Sequence, residues 1–77
     1  MRSEKDLQAA MLAAHEAENL LQLPPLYLEA AILRESQGDV DAACFFFTHA
    51  YVYALDCGDQ HIASQAQEKL KSYGRDR

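Results

Sequence analysis

Apolar residues recur along most of the chain at intervals of three and four, the spacing that gathers side chains onto one face of an α-helix. Leu7, Ala10, Met11, Ala14, Ala17, Leu20 and Leu21 form the first such stripe. Ser3 followed by Asp6 resembles a capping box, in which the hydroxyl takes an orphan amide and an acid sits in the positive first turn. A first helix is therefore expected over residues 4–22. Pro24 and Pro25 end it, because proline lacks an amide hydrogen and restricts the residue before it. Pro25 equally suits the first turn of a second helix over 25–36. There Leu26, Leu28, Ala30, Ala31, Ile32 and Leu33 are apolar on more than one face, while Glu29, Arg34 and Glu35 mark the wet side.

Two similar punctuation marks divide the remainder. Gln37-Gly38-Asp39 and Cys57-Gly58-Asp59 each place a glycine able to take a left-handed helix end before an aspartate able to cap the next start. They predict a third helix over 40–56 and a fourth over 60–73, with Gly74 closing the fourth and a charged tail, Arg75-Asp76-Arg77, expected to fray. So short a turn at Gly38 makes helices two and three an antiparallel hairpin. Helix three carries the stripe Val40, Ala43, Phe47, Ala50 and Ala54, with Cys44 and Tyr51 beside it; helix four carries Ile62, Ala63, Ala66, Leu70 and Tyr73.

Composition strengthens this reading. Thirteen alanines and ten leucines against five Val, Ile and Thr residues leave a β-sheet almost nothing to be made of. A chain of 77 residues cannot supply two hydrophobic cores, so one all-α domain is expected, a compact antiparallel four-helix array. Phe47, Ala43, Ala50, Ile32 and Leu33 are its candidate core.

From Tyr27 to Ala50 the order of residues resembles a tetratricopeptide-type helical hairpin. Tyr27 falls where that family carries an aromatic, Ala31 and Ala43 where it carries small residues, Gly38-Asp39 at its turn, Phe47 at its second aromatic, and Ala50 at its next small position. Small residues let two helix backbones approach, and the aromatics fill the space beside them. Arg34 stands where the repeat commonly has an aromatic, no proline follows the second helix, and only one unit is visible where stacked repeats need about three. The resemblance implies protein binding without catalysis, with the first and fourth helices capping a single hairpin. It carries over no ligand residues.

Charge narrows the partners. Seven Lys and Arg against twelve Asp and Glu give a net of -5. The basic residues Arg2, Lys5, Arg34, Lys69, Lys71, Arg75 and Arg77 lie mainly near the two ends and form no basic face, so neither nucleic acid nor an anionic membrane is an expected partner. The charged start of the chain is unlike a signal-peptide core, and no apolar run is long enough to span a bilayer. A cytoplasmic protein is expected. Cys44 and Cys57 fall on one helix thirteen residues apart, about 20 Å, beyond disulfide reach, and are expected to be free thiols.

No complete catalytic or metal set is visible, and neither enzymatic activity nor a cofactor is expected. Asp56, Cys57, Asp59 and His61 cluster around a turn with competent donor chemistry, but no second Cys or His pair completes a tetrahedral site, and the aspartates read more simply as helix-end residues. His15-Glu16 lacks the histidine four positions on that a zinc-protease motif needs, Asn19 standing there, and reads as a solvated edge of helix one. His49 reads as a hydrogen-bonded boundary residue. Cys44 would need a nearby base, and His49 lies about 140° around the helix from it.

The most informative segment is Phe45-Phe46-Phe47, since three successive helical positions turn by about 100° each and cannot share a face. With Tyr51 and Tyr53 added, helix three carries ring surface over most of its circumference. Either its three neighbours cover all of it, or part forms an exposed patch for a protein partner or a second copy of the chain. The second alternative makes Phe45, Phe46, Tyr51 and Tyr53, with Tyr27, the candidate partner-binding residues. A bundle that binds a small ligand or a metal, or an accessory subunit of an enzyme, is the competing function.

Overall fold

The computed structural model describes residues 3–75, and they form four α-helices: α1 (Glu4–Glu16), α2 (Leu23–Ser36), α3 (Val40–Cys57) and α4 (Gln60–Ser72). Each start has a chemical cause. The Ser3 hydroxyl accepts from the Asp6 amide, Asp39 from the Ala42 amide and Asp59 from the Ile62 amide, so three of the four helices begin on a side-chain cap. α2 begins without one. Its Pro24 and Pro25 lie within the first turn, where the missing amide hydrogens would have been orphans anyway.

Helix ends correct the sequence reading at one place. α3 and α4 differ from expectation by a single residue, but α1 stops at Glu16 instead of reaching residue 22. Its last turn closes with the Asn19 amide donating to the Ala14 carbonyl (2.9 Å) and the Glu18 amide to the His15 carbonyl (3.1 Å). The same pair of bonds ends α2 at Gly38 and α3 at Gly58, where φ is 78° and 77°. At the end of α1 the left-handed residue is Glu18, with φ of 53°. Leu20 and Leu21, expected on the apolar stripe, consequently lie in the connecting turn and are exposed. The prolines then fall inside α2, which starts two residues earlier than expected.

Two packed clusters share the interior. Phe47 centres the first, with Ala31, Ala43, Cys44, Ala50, Ala66 and Leu70 joining α2, α3 and α4. Leu7, Ala14, Leu23, Leu26 and Ala30 make the second, between α1 and α2. Tyr27 and Phe46 border both. Alanine at four of the six other buried positions around Phe47 is what lets three helices approach one phenylalanine ring. Ile32, expected in the core, is 38 % exposed, because α2 turns Ala30 and Ala31 inward and Ile32 to the other side, while Leu33 is half-buried and packs against the second cluster. Both cysteines are free thiols, Cys44 buried and Cys57 half-buried.

Charged residues tie the elements together. Arg34 pairs with Glu4 across α2 and α1, and Lys69 and Tyr73 both reach Glu35 from the end of α4. Arg75 pairs with Asp41 at the start of α3 (2.6 Å), so this residue of the expected frayed tail is engaged, while Asp76 and Arg77 lie outside the described residues. The side of α2 read as wet therefore carries the links to its neighbours. The helices make a slab, 34 × 28 × 16 Å, in which α3 packs against α2 and α4, and α1 packs against α2. No helix among the described residues is long and apolar enough to cross a membrane.

Candidate functional site

A slab of this thickness leaves one side of α3 uncovered. The three phenylalanines grade across it: Phe47 is fully buried, Phe46 half-buried and Phe45 58 % exposed. Val52, 48 % exposed, continues the face of Phe45 two turns on, and Leu55, 56 % exposed, borders it about 80° around the helix. Large apolar side chains at such spacing on an open helix face are the main unpartnered surface of α3.

Beside that face stands a cluster of six rings. Tyr27 of α2 is its hub, stacked on Tyr53 (centroids 5.2 Å apart) and on His49 (5.5 Å, planes 18° apart), tilted against Phe46 (6.1 Å) and meeting His15 of α1 edge-on (5.9 Å). Phe45 packs on His49 at 4.3 Å and meets Phe46 edge-on at 5.5 Å. His15 also meets Tyr53 edge-on. These separations fall in the range where ring pairs attract beyond simple area burial. α1 thus reaches α3 through rings, not through backbone proximity.

Polar atoms fix the imidazoles. His49 Nδ1 donates to the Phe45 carbonyl (2.8 Å), and since a carbonyl only accepts, that nitrogen carries the hydrogen. His15 Nε2 and the Tyr27 hydroxyl share a hydrogen bond of 2.9 Å. Burial, and then the neighbouring Tyr53 hydroxyl, raise the Tyr27 phenol above its ordinary pKa, so it stays neutral and able to donate. His15 is exposed, as a solvated edge would be, but it is also a working member of the ring cluster.

Of the sequence candidates, Tyr27, Phe45, Phe46 and Tyr53 come together here. Tyr51 does not: it sits half-buried against the Phe47 cluster on another side of α3. His15 and His49 were missed as members, because aromatic partners on α1 and α2 are invisible to the local pattern around a histidine. The exposed position Val52 could have been found, since it lies two turns from Phe45 to within about 20°, whereas Leu55 stands about 80° around the helix from Phe45.

The other candidates take different places. Asp59 spends its carboxylate on the α4 cap, and Cys57 lies over the Ala54 carbonyl. Among the described residues no group of three or more His, Cys, Asp or Glu is arranged to hold a metal ion. Cys44 is buried in the Phe47 cluster. A separate open groove of about 410 Å³ runs between α2 and α4, with Leu28, Ile32 and Phe47 on its apolar side and Gln65, Glu68 and Lys69 along its rim. The chemistry offered by the α3 face is ring faces, ring edges and aliphatic side chains, with the Thr48 hydroxyl and His49 Nδ1 engaged by carbonyls of their own helix.

No protein-family model, curated protein or solved structure matches the chain. The tetratricopeptide resemblance rests on its residues alone, and in the structure those residues form the antiparallel α2–α3 hairpin with Ala31, Ala43 and Ala50 fully buried.

Proposed function

We propose that this chain is a non-catalytic protein-interaction module whose binding surface is the uncovered face of α3 with the adjoining ring cluster. The observation that carries the reading is the exposure of Phe45 and Val52 on one face, with Leu55 bordering it, of a helix whose other sides are packed. Exposing apolar surface is unfavourable by about 25 cal/mol per Å², and interfaces are where such surface finds cover. Ring-rich surfaces held rigid by stacking also lose little side-chain entropy on binding.

The test is a matched pair of variants. Phe45→Ser removes an exposed ring and is expected to abolish partner capture while leaving the far-ultraviolet circular dichroism spectrum of the native chain. A Leu12→Ser control removes an equally exposed apolar side chain from α1 and is expected to leave capture intact. Capture lost in both, or in neither, rejects the α3 face.

The groove between α2 and α4 supports a second reading, a small-ligand site. Its volume lies within the range of about 300–1,000 Å³ seen for ligand pockets. Ligand-induced shifts of Ile32 and Leu28 methyl resonances, with those of Val52 unmoved, would favour it over the interaction surface.

A further inference from the structure

We propose that the partner of the α3 face is a second copy of this chain, docked antiparallel across a two-fold axis that passes between Thr48 and His49. The inference rests on the reading of α3 as a binding face and supplies the occupant. Four residues carry it. Asp41, Phe45, Val52 and Asp56 all project within about 60° of arc on α3. They are also placed symmetrically along the helix: the midpoint between Phe45 and Val52 coincides with the midpoint between Asp41 and Asp56. An isologous contact demands such symmetry, because each residue must meet on the partner what its own mate presents. Antiparallel pairing about that midpoint sets Phe45 against Val52 of the other copy, twice.

Charge supplies the direction. The start of α3 bears a cation, since Arg75 is drawn onto Asp41 and both remain exposed. The end of α3 bears only acid. Asp56 is exposed in the last turn, no basic residue accompanies it there, and it makes no ion pair among the described residues. Glu16 and Glu18, exposed at the end of α1, belong to the same side, because His15 lies against Tyr53, one turn before Asp56. An acid at a helix C-terminus opposes the helix dipole and calls for a cation. Among the described residues it has none. In the antiparallel pair Arg75 of one copy comes over Asp56 of the other, and a guanidinium with five donors can serve both aspartates. A parallel pairing would set acid against acid.

One helix face buries less than the roughly 1,200 Å² at the lower bound of stable interfaces, so the dimer is weak and depends on concentration. Sedimentation velocity of the full chain from about 10 μM to 1 mM, at low salt, tests it. The native chain is expected to shift from monomer to dimer within that range. Arg75→Glu alone sets two acids against each other at both ends of the contact, and Asp56→Arg alone sets two cations; each is expected to weaken self-association at least tenfold. An equimolar mixture of these two variants restores an opposite pair at both ends of the heterodimer. Its association is expected to return to within about threefold of native.

Failure separates the two claims. A native chain that stays monomeric at 1 mM overturns the second-copy inference; should its α3 face still capture another polypeptide in a Phe45-dependent way, the interaction reading stands alone. A dimer that survives both Phe45→Ser and Val52→Ser lies elsewhere and overturns the second-copy inference; if Phe45→Ser also leaves capture of every other polypeptide unchanged, the interaction reading falls with it. A dimer sensitive to Phe45 whose charge variants do not rescue one another when mixed overturns the antiparallel register.

Discussion

Glu18 holds a left-handed backbone conformation that costs an L-residue about 1–2 kcal/mol. At the corresponding ends of α2 and α3 the chain places glycine. Glu18→Gly should therefore stabilise the fold by about 0.5–1 kcal/mol, the relief being partly offset by the unfolded-state freedom of glycine; urea denaturation checks it, and a loss of stability would mean that Glu18 makes a contact worth more than its strain. The phenylalanines give a second comparison. Phe47→Ala empties the centre of the larger cluster and should cost about 3–5 kcal/mol, a large part of the stability of so small a chain. Phe45→Ser should cost far less, because that ring is already 58 % exposed. Thermal melts of the two variants in the reverse order would overturn the assignment of core and surface.

Between elements, Glu35 is the main polar junction, accepting from Lys69 at 3.0 Å and from the Tyr73 hydroxyl at 2.5 Å, so that it joins α2 to the end of α4. The Tyr73 hydrogen bond, with Lys69 adding to it against burial, holds the Glu35 carboxyl below its ordinary 4.5. A lowered carboxyl contributes stability above its unfolded value, and that contribution disappears as pH falls from 4.5 through the folded value. The Glu35 bond in turn raises the Tyr73 phenol above 10.0, so the same junction weakens again as pH climbs beyond 10. Glu35→Gln should flatten the acid limb of a stability profile below pH 4.5, measured by chemical denaturation at successive pH values. An unchanged limb would place the acid sensitivity elsewhere. None of this was readable from the sequence, where Glu35 stands on the polar side of an amphipathic helix; its partners are 34 and 38 residues away.

For the molecule as a whole, the arrangement of helices decides which rings are covered. α1 lies on α2 and α4 bridges α2 and α3, so no element closes the side of α3 that carries Phe45 and Val52. If a second copy closes it, folding and association are linked, and the melting temperature of the native chain should rise with protein concentration. Added salt should diminish that rise, because the Arg75–Asp56 contacts between copies are exposed at the rim. A melting temperature independent of concentration between about 10 μM and 1 mM would argue for a monomer. The candidate surface was half legible beforehand. Consecutive Phe45, Phe46 and Phe47 announce that some ring must leave the core, and the pattern joins Tyr27 and Tyr53 to them, but ring count alone also adds Tyr51, which packs against the Phe47 cluster.

Short-range chemistry was sufficient for the elements themselves. Ser3, Asp39 and Asp59 cap, Gly38 and Gly58 turn, and the alanine and leucine spacing makes helices between them, because each of these effects acts within one or two turns of chain. The end of α1 escaped since a glutamate occupies the left-handed position there. Tertiary structure alone decided that Ile32 would face a groove, that His15 and His49 would join Tyr27, and that one face of α3 would stay open. A side chain's cover is provided by residues distant in sequence, and periodicity within a helix specifies a face without specifying what will lie against it.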